Sequence, residues 1–352
     1  MNSNDKTLII LSPGFPKDEA DTTCLPFLQT FVRSLGHADP TLKIIVLAFQ
    51  YPFVSKEYVW ENVTVIAFNG RNRGKLHRLL LWARVWRRIK KLLQQNNVIG
   101  FFNLWLGECA LMGKHAAKKS GLPSFTWILG QDAKANNNYI IRIKPNPRSL
   151  IAMSDFLADS FEINFKIRPQ HVIPLGIDKR LFPPMLAERP IDILGAGSLI
   201  PLKQYEVFIQ MIVKLAVKRR GIKAVIVGEG NERERLQKMI DENSAGSNIE
   251  LAGEKNHATV LSMMQQSKIF LHPSNYEGFS GVCSEALYAG VKVVSYTRAM
   301  KKDFKNWFVV ETEMQMLKQL EDLLDYPNPE YERVLVNDSE ETGRAVLALY
   351  TS

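Results

Sequence analysis

The chain has 352 residues, with 45 Lys and Arg against 36 Asp and Glu and a formal net charge of +9. At 46% hydrophobic and 23% charged residues it has a globular composition, which excludes a disordered, collagen-like or coiled-coil chain. Its length exceeds the roughly 250–300 residues at which a single core stops growing, so two domains are expected.

The opening stretch, Met1 to Pro16, carries an apolar run too short for an export signal, and it ends in Pro and Gly. No segment approaches the roughly 18 apolar residues of a membrane helix. The expectation is a cytoplasmic protein, or one peripheral to the inner face of a membrane. Cys24, Cys109 and Cys283 stand far apart with no CxxC or Cys/His spacing. They form neither a zinc set nor a disulfide framework, which suits a reducing compartment. The sequons at Asn62 and Asn337 carry no weight without export.

In chain order, the first half reads as buried strands at Leu8–Leu11, Ile44–Ala48, Val98–Phe102, Phe125–Leu129, Leu150–Met153 and His171–Ile173. Helical patterns lie between them at Thr23–Leu35, Lys75–Gln95 and Glu108–Lys119. Strands follow at Ile191–Leu194, Ala224–Val227, Ile249–Ala252, Ile269–His272, Val291–Ser295 and Trp307–Val310. The later helices are Lys203–Arg219, Glu232–Glu242, Thr259–Gln265, Gly281–Ala289 and Thr312–Leu324. Near-continuous apolar strands alternating with helices imply parallel sheets covered on both faces, hence an α/β chain of two Rossmann-like domains. Four prolines between Pro174 and Pro190 mark the boundary, and Pro327–Pro329 a second break. The expected domains are residues 1–180 and 181–330. Residues 331–352 hold a last helix, Glu340–Leu349, for which a return to the first domain is one reading.

Charge divides unevenly. Residues 1–186 hold 25 Lys and Arg against 13 Asp and Glu; residues 187–352 hold 20 against 23. The first half is therefore expected to face an anionic partner. Residues 71–91 concentrate that charge: Arg84, Arg87, Arg88, Lys90 and Lys91 alternate with Trp82, Trp86 and aliphatic residues, and no acid interrupts them. This is the pattern of an interfacial helix on anionic lipid; a core helix with a solvated basic face is the competing account. No nucleic-acid module is recognisable, so nucleic acid is not expected as a partner.

There is no GxxxxGK[ST] loop, no Asp-x-Asp pair and no GxSxG elbow. Gly195-x-Gly197 follows a strand, but Ile200 stands where the dinucleotide fingerprint needs a third glycine. Asp18-Glu19-Ala20-Asp21 reads as a solvated loop. The segment richest in chemistry is Phe270–Ser295, FLHPSNYEGFSGVCSEALYAGVKVVS. A strand runs to His272, a loop carries Glu277 and Gly278, and a helix starts near Gly281 and carries Glu285. Open α/β sheets bind ligands at such carboxyl edges. Gly278 and Gly281 permit close backbone approach, and the helix start suits a phosphate. Carboxylates repel phosphate but accept from the hydroxyls of a diol. One Glu at a ribose and one at a sugar, with a diphosphate between, sketches a nucleotide-sugar site. Alternatively, Glu277 is a loop charge and Glu285 caps a helix.

Glu277 and Glu285 resemble the Glu-x7-Glu signature of the family 4 retaining glycosyltransferases, which have the GT-B fold of two Rossmann-like domains facing a cleft. Further segments resemble the same family: Gly197–Lys203, Val227-Gly228-Glu229-Gly230, Leu251-Ala252-Gly253, and Ile173–Asp178 with Phe182. The resemblance spans residues 8–325 and is stronger in the second half. It implies a nucleoside diphosphate sugar as donor, a glycan or lipid-linked acceptor, and no metal or other cofactor. Glu277 would orient the sugar, Glu285 would hold the ribose, and Lys203 would neutralise the diphosphate. Gly14, Ser198, Gly253, Gly278, Phe279, Ser280 and Gly281 complete the donor set. Two departures stand out: Ser198 replaces a frequent Arg, and Asp132 or Gln131 occupies the place of a frequent catalytic His. An inactive scaffold subunit of the same fold is therefore an alternative, as is a nucleotide-sugar epimerase.

Overall fold

The computed structural model describes residues 5–327 and 330–351. Asn328 and Pro329 of the expected second break, together with Met1–Asn4 and Ser352, lie outside the described residues. The chain divides into two compact units. Unit 1 comprises Met1–Gly176 and Asn337–Ser352, and unit 2 comprises Ile177–Val336.

Unit 1 runs β1 (Lys6–Gly14), α1 (Pro26–Ala38), β2 (Lys43–Tyr51), β3 (Ser55–Trp60), β4 (Val63–Phe68), α2 (Lys75–Gln95), β5 (Asn97–Leu104) and α3 (Glu108–Ser120). It continues through β6 (Ser124–Ile128), α4 (Tyr139–Ile143), β7 (Leu150–Ala152), α5 (Asp155–Phe165) and β8 (His171–Val172). The sheet order is β3-β4-β2-β1-β5-β6-β7-β8. Every pair is parallel except the β3–β4 hairpin, which the sequence did not reveal. β3 is an edge strand, SKEYVW, with exposed Lys56 and Glu57. It lacks the apolar run that marks its buried neighbours, as edge strands do. Leu8, Ile9, Ile10 and Leu11 of β1 are all fully buried, because helices cover the sheet on both faces.

Unit 2 runs β9 (Ile191–Ala196), α6 (Tyr205–Lys218), β10 (Ala224–Val227), α7 (Arg233–Glu242), β11 (Ile249–Gly253), α8 (His257–Gln265) and β12 (Ser267–His272). Then come α9 (Gly281–Tyr288), β13 (Lys292–Ser295), β14 (Trp307–Val309) and α10 (Glu313–Asp325). Its sheet has the order β11-β10-β9-β12-β13-β14 and is wholly parallel. Successive strand residues serve opposite layers. Ile193, Ile226, Ile269 and Leu271 pack with Phe208 and Ile212 of α6. Leu194, Val225 and Phe270 pack with Met264 of α8 and Leu287 of α9. That two-residue period fixes which strand ends can present side chains above the sheet.

The last helix, α11 (Ser339–Ala348), belongs to unit 1, where it packs on α1. Its Asp338 cap accepts from Glu340 N–H at 2.9 Å, and Tyr350 donates to the Phe101 carbonyl at 2.8 Å.

Candidate functional site in unit 2

The strand order of unit 2 reverses between β9 and β12. Chain leaves β9 toward one side of the sheet and β12 toward the other, so the loops beyond their carboxyl ends diverge and leave a crevice. Those two loops carry the chemistry. The first, Gly197–Gln204, ends in a tight turn at Pro201–Lys203. The sequence put Lys203 at the start of a helix. Instead Gln204 adopts a left-handed conformation and α6 begins at Tyr205, which leaves Lys203 on the turn. The second loop, Pro273–Ser280, delivers Glu277.

Lys203 Nζ donates to Glu277 Oε1 at 2.5 Å, and His272 Nε2 lies 2.8 Å from the same oxygen. The Glu277 side chain is only 13% exposed, and His272 2%. Burial alone would raise the Glu277 carboxyl. The hydrogen bond from His272 and the charge and hydrogen bond of the Lys203 ammonium outweigh burial and hold it near 2. Burial pushes the His272 imidazole down despite its carboxylate partner, so we assign a neutral ring that donates through Nε2. Glu277 is thus an ionised carboxylate with fixed direction. Ser274, fully buried, braces the two loops against each other: its Oγ lies 3.1 Å from the carbonyls of Leu202 and Tyr276.

Helix α9 starts immediately beyond. Ser280 stands at its cap in a left-handed conformation, and its carbonyl accepts from Cys283 and Ser284 N–H. The amides of Gly281 and Val282 are those a helix start leaves without an intrahelical acceptor. The Ser280 hydroxyl is buried with no partner among the described residues, and so is the Tyr205 hydroxyl. Glu285 follows on the fifth residue of α9, where its Oε1 lies 2.8 Å from His257 Nε2 at the start of α8. Phe279 is buried beneath the loop. The fold itself does not require glycine at 281: a Cβ there would meet the Phe279 ring at 3.7 Å, an ordinary contact.

The remaining donor candidates surround this centre. Ser198 is exposed on the β9 loop. Gly253 ends β11, and its carbonyl accepts from Gly228 N–H at 3.0 Å, while Gly197 N–H donates to Val227 at 2.9 Å. The ends of β9, β10 and β11 are thereby stitched in sequence. The structure therefore brings together Lys203, Glu277 and the start of α9. It adds His272, His257, Ser274 and Tyr205, which sequence reasoning missed. His272 stands directly before the Pro273–Ser280 loop, and that position was the available signal.

Two further candidates lie in unit 1. Gly14 ends β1, where Ser12 Oγ donates to its carbonyl at 2.6 Å. Asp132 is buried, and its Oδ2 accepts from Leu129 N–H at 2.9 Å, closing the Gly130–Ala133 turn. Burial raises its carboxyl to about 7 against the backbone N–H groups of Leu129 and Leu106.

The basic helix α2 is arranged differently from the sequence expectation. Trp82 and Trp86 turn inward onto the unit 1 core. Trp82 Nε1 donates to Glu108 at 2.9 Å, and the Trp86 ring meets His115 at 4.7 Å. Arg88 pairs with Glu57. The buried stripe is Leu81, Val85, Ile89 and Leu92, spaced at three and four residues, so the helix packs as a core helix on that side. Arg84, Arg87, Lys90 and Lys91 remain on the exposed side. Among the described residues no helix is long and apolar enough to cross a membrane, and no group of three or more His, Cys, Asp or Glu could hold a metal ion.

Residues 178–337, which are nearly all of unit 2, match the family model described as glycosyl transferases group 1. A relative from Niallia circulans, 2-deoxystreptamine N-acetyl-D-glucosaminyltransferase, is 25% identical over 169 residues, covering 48% of this chain and 42% of that protein. The chain spans less than half the length of this and the next two curated relatives it matches. Among solved structures, sucrose-phosphate synthase from Thermosynechococcus elongatus superposes with a TM-score of 0.67 at 13% identity, over 98% of this chain and 96% of that one. HepE from Anabaena, solved with UDP and glucose, gives 0.66 at 14% identity, over 98% and 97%. At such identity the likeness establishes the fold, which is GT-B.

Proposed function

We propose that the chain is a retaining glycosyltransferase that moves a sugar from a nucleoside diphosphate sugar to an acceptor hydroxyl, with a glycan or lipid-linked glycan as acceptor. One observation carries this reading: an ionised, buried Glu277 fixed between Lys203 and His272 at the start of α9, in the crevice of a doubly wound sheet. The group 1 family match to the same unit supports it, as do the names of the relatives.

Each residue then has a physical task. Glu285, steadied by His257, accepts from the two ribose hydroxyls. Glu277 accepts from sugar hydroxyls and sets the orientation of the anomeric carbon. Lys203 has three N–H donors; one serves Glu277 and leaves two for phosphate oxygens. As the bond from the anomeric carbon to the diphosphate breaks and one to the acceptor oxygen forms, the acceptor hydroxyl proton passes to the released phosphate oxygen, and negative charge develops on the leaving diphosphate. Lys203 and the α9 amides face that charge already oriented, so little reorganisation is needed. Glycine at 281, unneeded by the fold, is what a close phosphate would require. The same cationic groups let the reaction proceed without a resident metal. In unit 1, Gly14 is assigned to the donor set, where a glycine permits close backbone approach. Asp132 acts through the shape of the Gly130–Ala133 turn, since its carboxylate is engaged by backbone.

The test is thermal stabilisation by UDP, GDP, ADP, CDP and dTDP, each with magnesium or with EDTA. A ligand at about 100 times its dissociation constant stabilises by about 2.7 kcal/mol. The expected result is a rise with one diphosphate, the same in EDTA, that Glu285→Ala removes. No rise with any of them, in folded protein, would overturn the donor site.

A further inference from the structure

The outward side of α2 is not the surface of an ordinary amphipathic helix. Its first two turns expose Leu76, Leu79 and Leu80 at 66%, 59% and 57%. No acidic residue occurs in the helix, KLHRLLLWARVWRRIKKLLQQ. Exposed leucines on a helix cost free energy in water unless something covers them.

Beside those leucines lies a groove of about 330 Å³ between α2 and the turn that follows β4. Arg73, His77, Arg84 and Arg87 line it over an apolar floor of Phe68 and Leu80, and no acid is among its lining residues. The groove is built rather than incidental. Gly70 N–H donates to the Phe49 carbonyl at 2.8 Å and Asn72 N–H to Gln50 Oε1 at 2.7 Å, which pins the turn. Arg84 donates to the Phe68 carbonyl at 3.2 Å and to Ser55 Oγ, so its guanidinium is oriented without being neutralised. The β2–β3 turn presents exposed Phe53 and Val54, and Arg71, next to the groove residue Gly70, donates to the Phe53 carbonyl.

We infer that this surface docks unit 1 on a bilayer containing anionic phospholipid. Leu76, Leu79, Leu80 and Phe53 enter the headgroup–acyl boundary, and Arg73, Arg84 and Arg87 meet lipid phosphates. Charge complementarity selects this occupant: an apolar ridge beside a groove lined by arginines and no acid matches a surface that is apolar within and anionic at its face. The inference stands apart from the donor-site reading, because its residues and its readout involve neither unit 2 nor transfer.

The full chain is sedimented with vesicles of phosphatidylcholine alone and of equimolar phosphatidylcholine and phosphatidylglycerol. Wild type should partition onto the anionic vesicles and stay in solution with the neutral ones. Arg73→Gln, Arg84→Gln and Arg87→Gln together should weaken partition about a hundredfold, at about fivefold per cation. Leu76→Gln, Leu79→Gln and Leu80→Gln together should abolish it with an unchanged circular dichroism spectrum, since all three side chains are exposed. Removing equal charge from unit 2, by Lys223→Gln, Lys238→Gln and Lys318→Gln, should leave partition within about twofold, because the inference assigns every lipid contact to unit 1. No partition by wild type overturns the inference, as does equal loss in the unit 2 triple variant or retention in the leucine variant. So does binding to DNA without binding to vesicles.

Discussion

Replacing Glu277 by Gln removes one oxygen's charge and little volume, so the change isolates the electrostatics of the crevice. In the folded chain this carboxyl lies near 2, against an ordinary value of 4.5. One unit corresponds to about 1.4 kcal/mol. Ionised Glu277 therefore favours folded unit 2 by about 3 kcal/mol at neutral pH. The sign follows from the direction of the shift. A depressed carboxylate contributes fully above its unfolded value, and the contribution drains away as pH falls from about 4.5 toward 2. The assay is urea unfolding of wild type and variant at about pH 7 and about pH 3, read by hydrogen exchange in β9 and β12 peptides so that unit 2 is followed alone. The gap between the two proteins should be about 3 kcal/mol at the higher pH and narrow by about 2 kcal/mol at the lower. The variant should also transfer no sugar. A gap that is the same at both pH values would refute the buried ion pair, and unchanged transfer would refute the role of Glu277.

Three other outcomes follow from the geometry. Gly281→Ala should keep unit 2 within about 1 kcal/mol of wild type, because the space is open and Ala favours helix. Calorimetry should nevertheless show diphosphate affinity down at least about tenfold, about 1.4 kcal/mol. Unchanged affinity would mean the α9 start is not the phosphate site. Asp132, held near 7 and ordinarily near 3.8, binds a proton in the folded chain that the unfolded chain gives up. Unit 1 should thus lose stability as pH rises from about 4 to about 7. Asp132→Asn should flatten that dependence, measured by exchange in β6 peptides across the same range. A glycosyl transfer assay run in EDTA should proceed at the rate seen with magnesium, and loss of turnover on chelation would oblige a bound cation.

What could be read beforehand was whatever one segment encodes by itself. The strand–loop–helix unit around Glu277 and Glu285 was legible because strand, glycines and carboxylates are consecutive. The buried strands of both sheets declared themselves by unbroken apolar runs, as in Leu8–Leu11. What escaped notice joins distant segments. His257 and Glu285 are 28 positions apart, and Ser274 braces a loop 72 positions earlier. No local pattern announces such pairs. The tryptophans of α2 misled for a related reason. Periodicity shows that a helix has an apolar stripe but not how wide it is. Here the stripe widens because Glu108, on the next helix, offers Trp82 a hydrogen-bond acceptor inside. The exposed apolar bulk then falls to leucines one turn earlier.

The return of the chain to unit 1 has a consequence for synthesis. Unit 2 is one uninterrupted stretch, whereas unit 1 is made in two instalments separated by all of unit 2. Outgoing and returning segments clasp each other: the Pro174 carbonyl accepts from Thr342 Oγ1 at 2.8 Å, and a Cβ on Gly176 would sit 2.2 Å from the Asp338 backbone. A ribosome therefore releases a unit 2 able to complete its own core first. Unit 1 must wait, with the α1 surface that Gly343 will contact still bare. During that interval the first half of the chain is an unfinished, strongly basic domain.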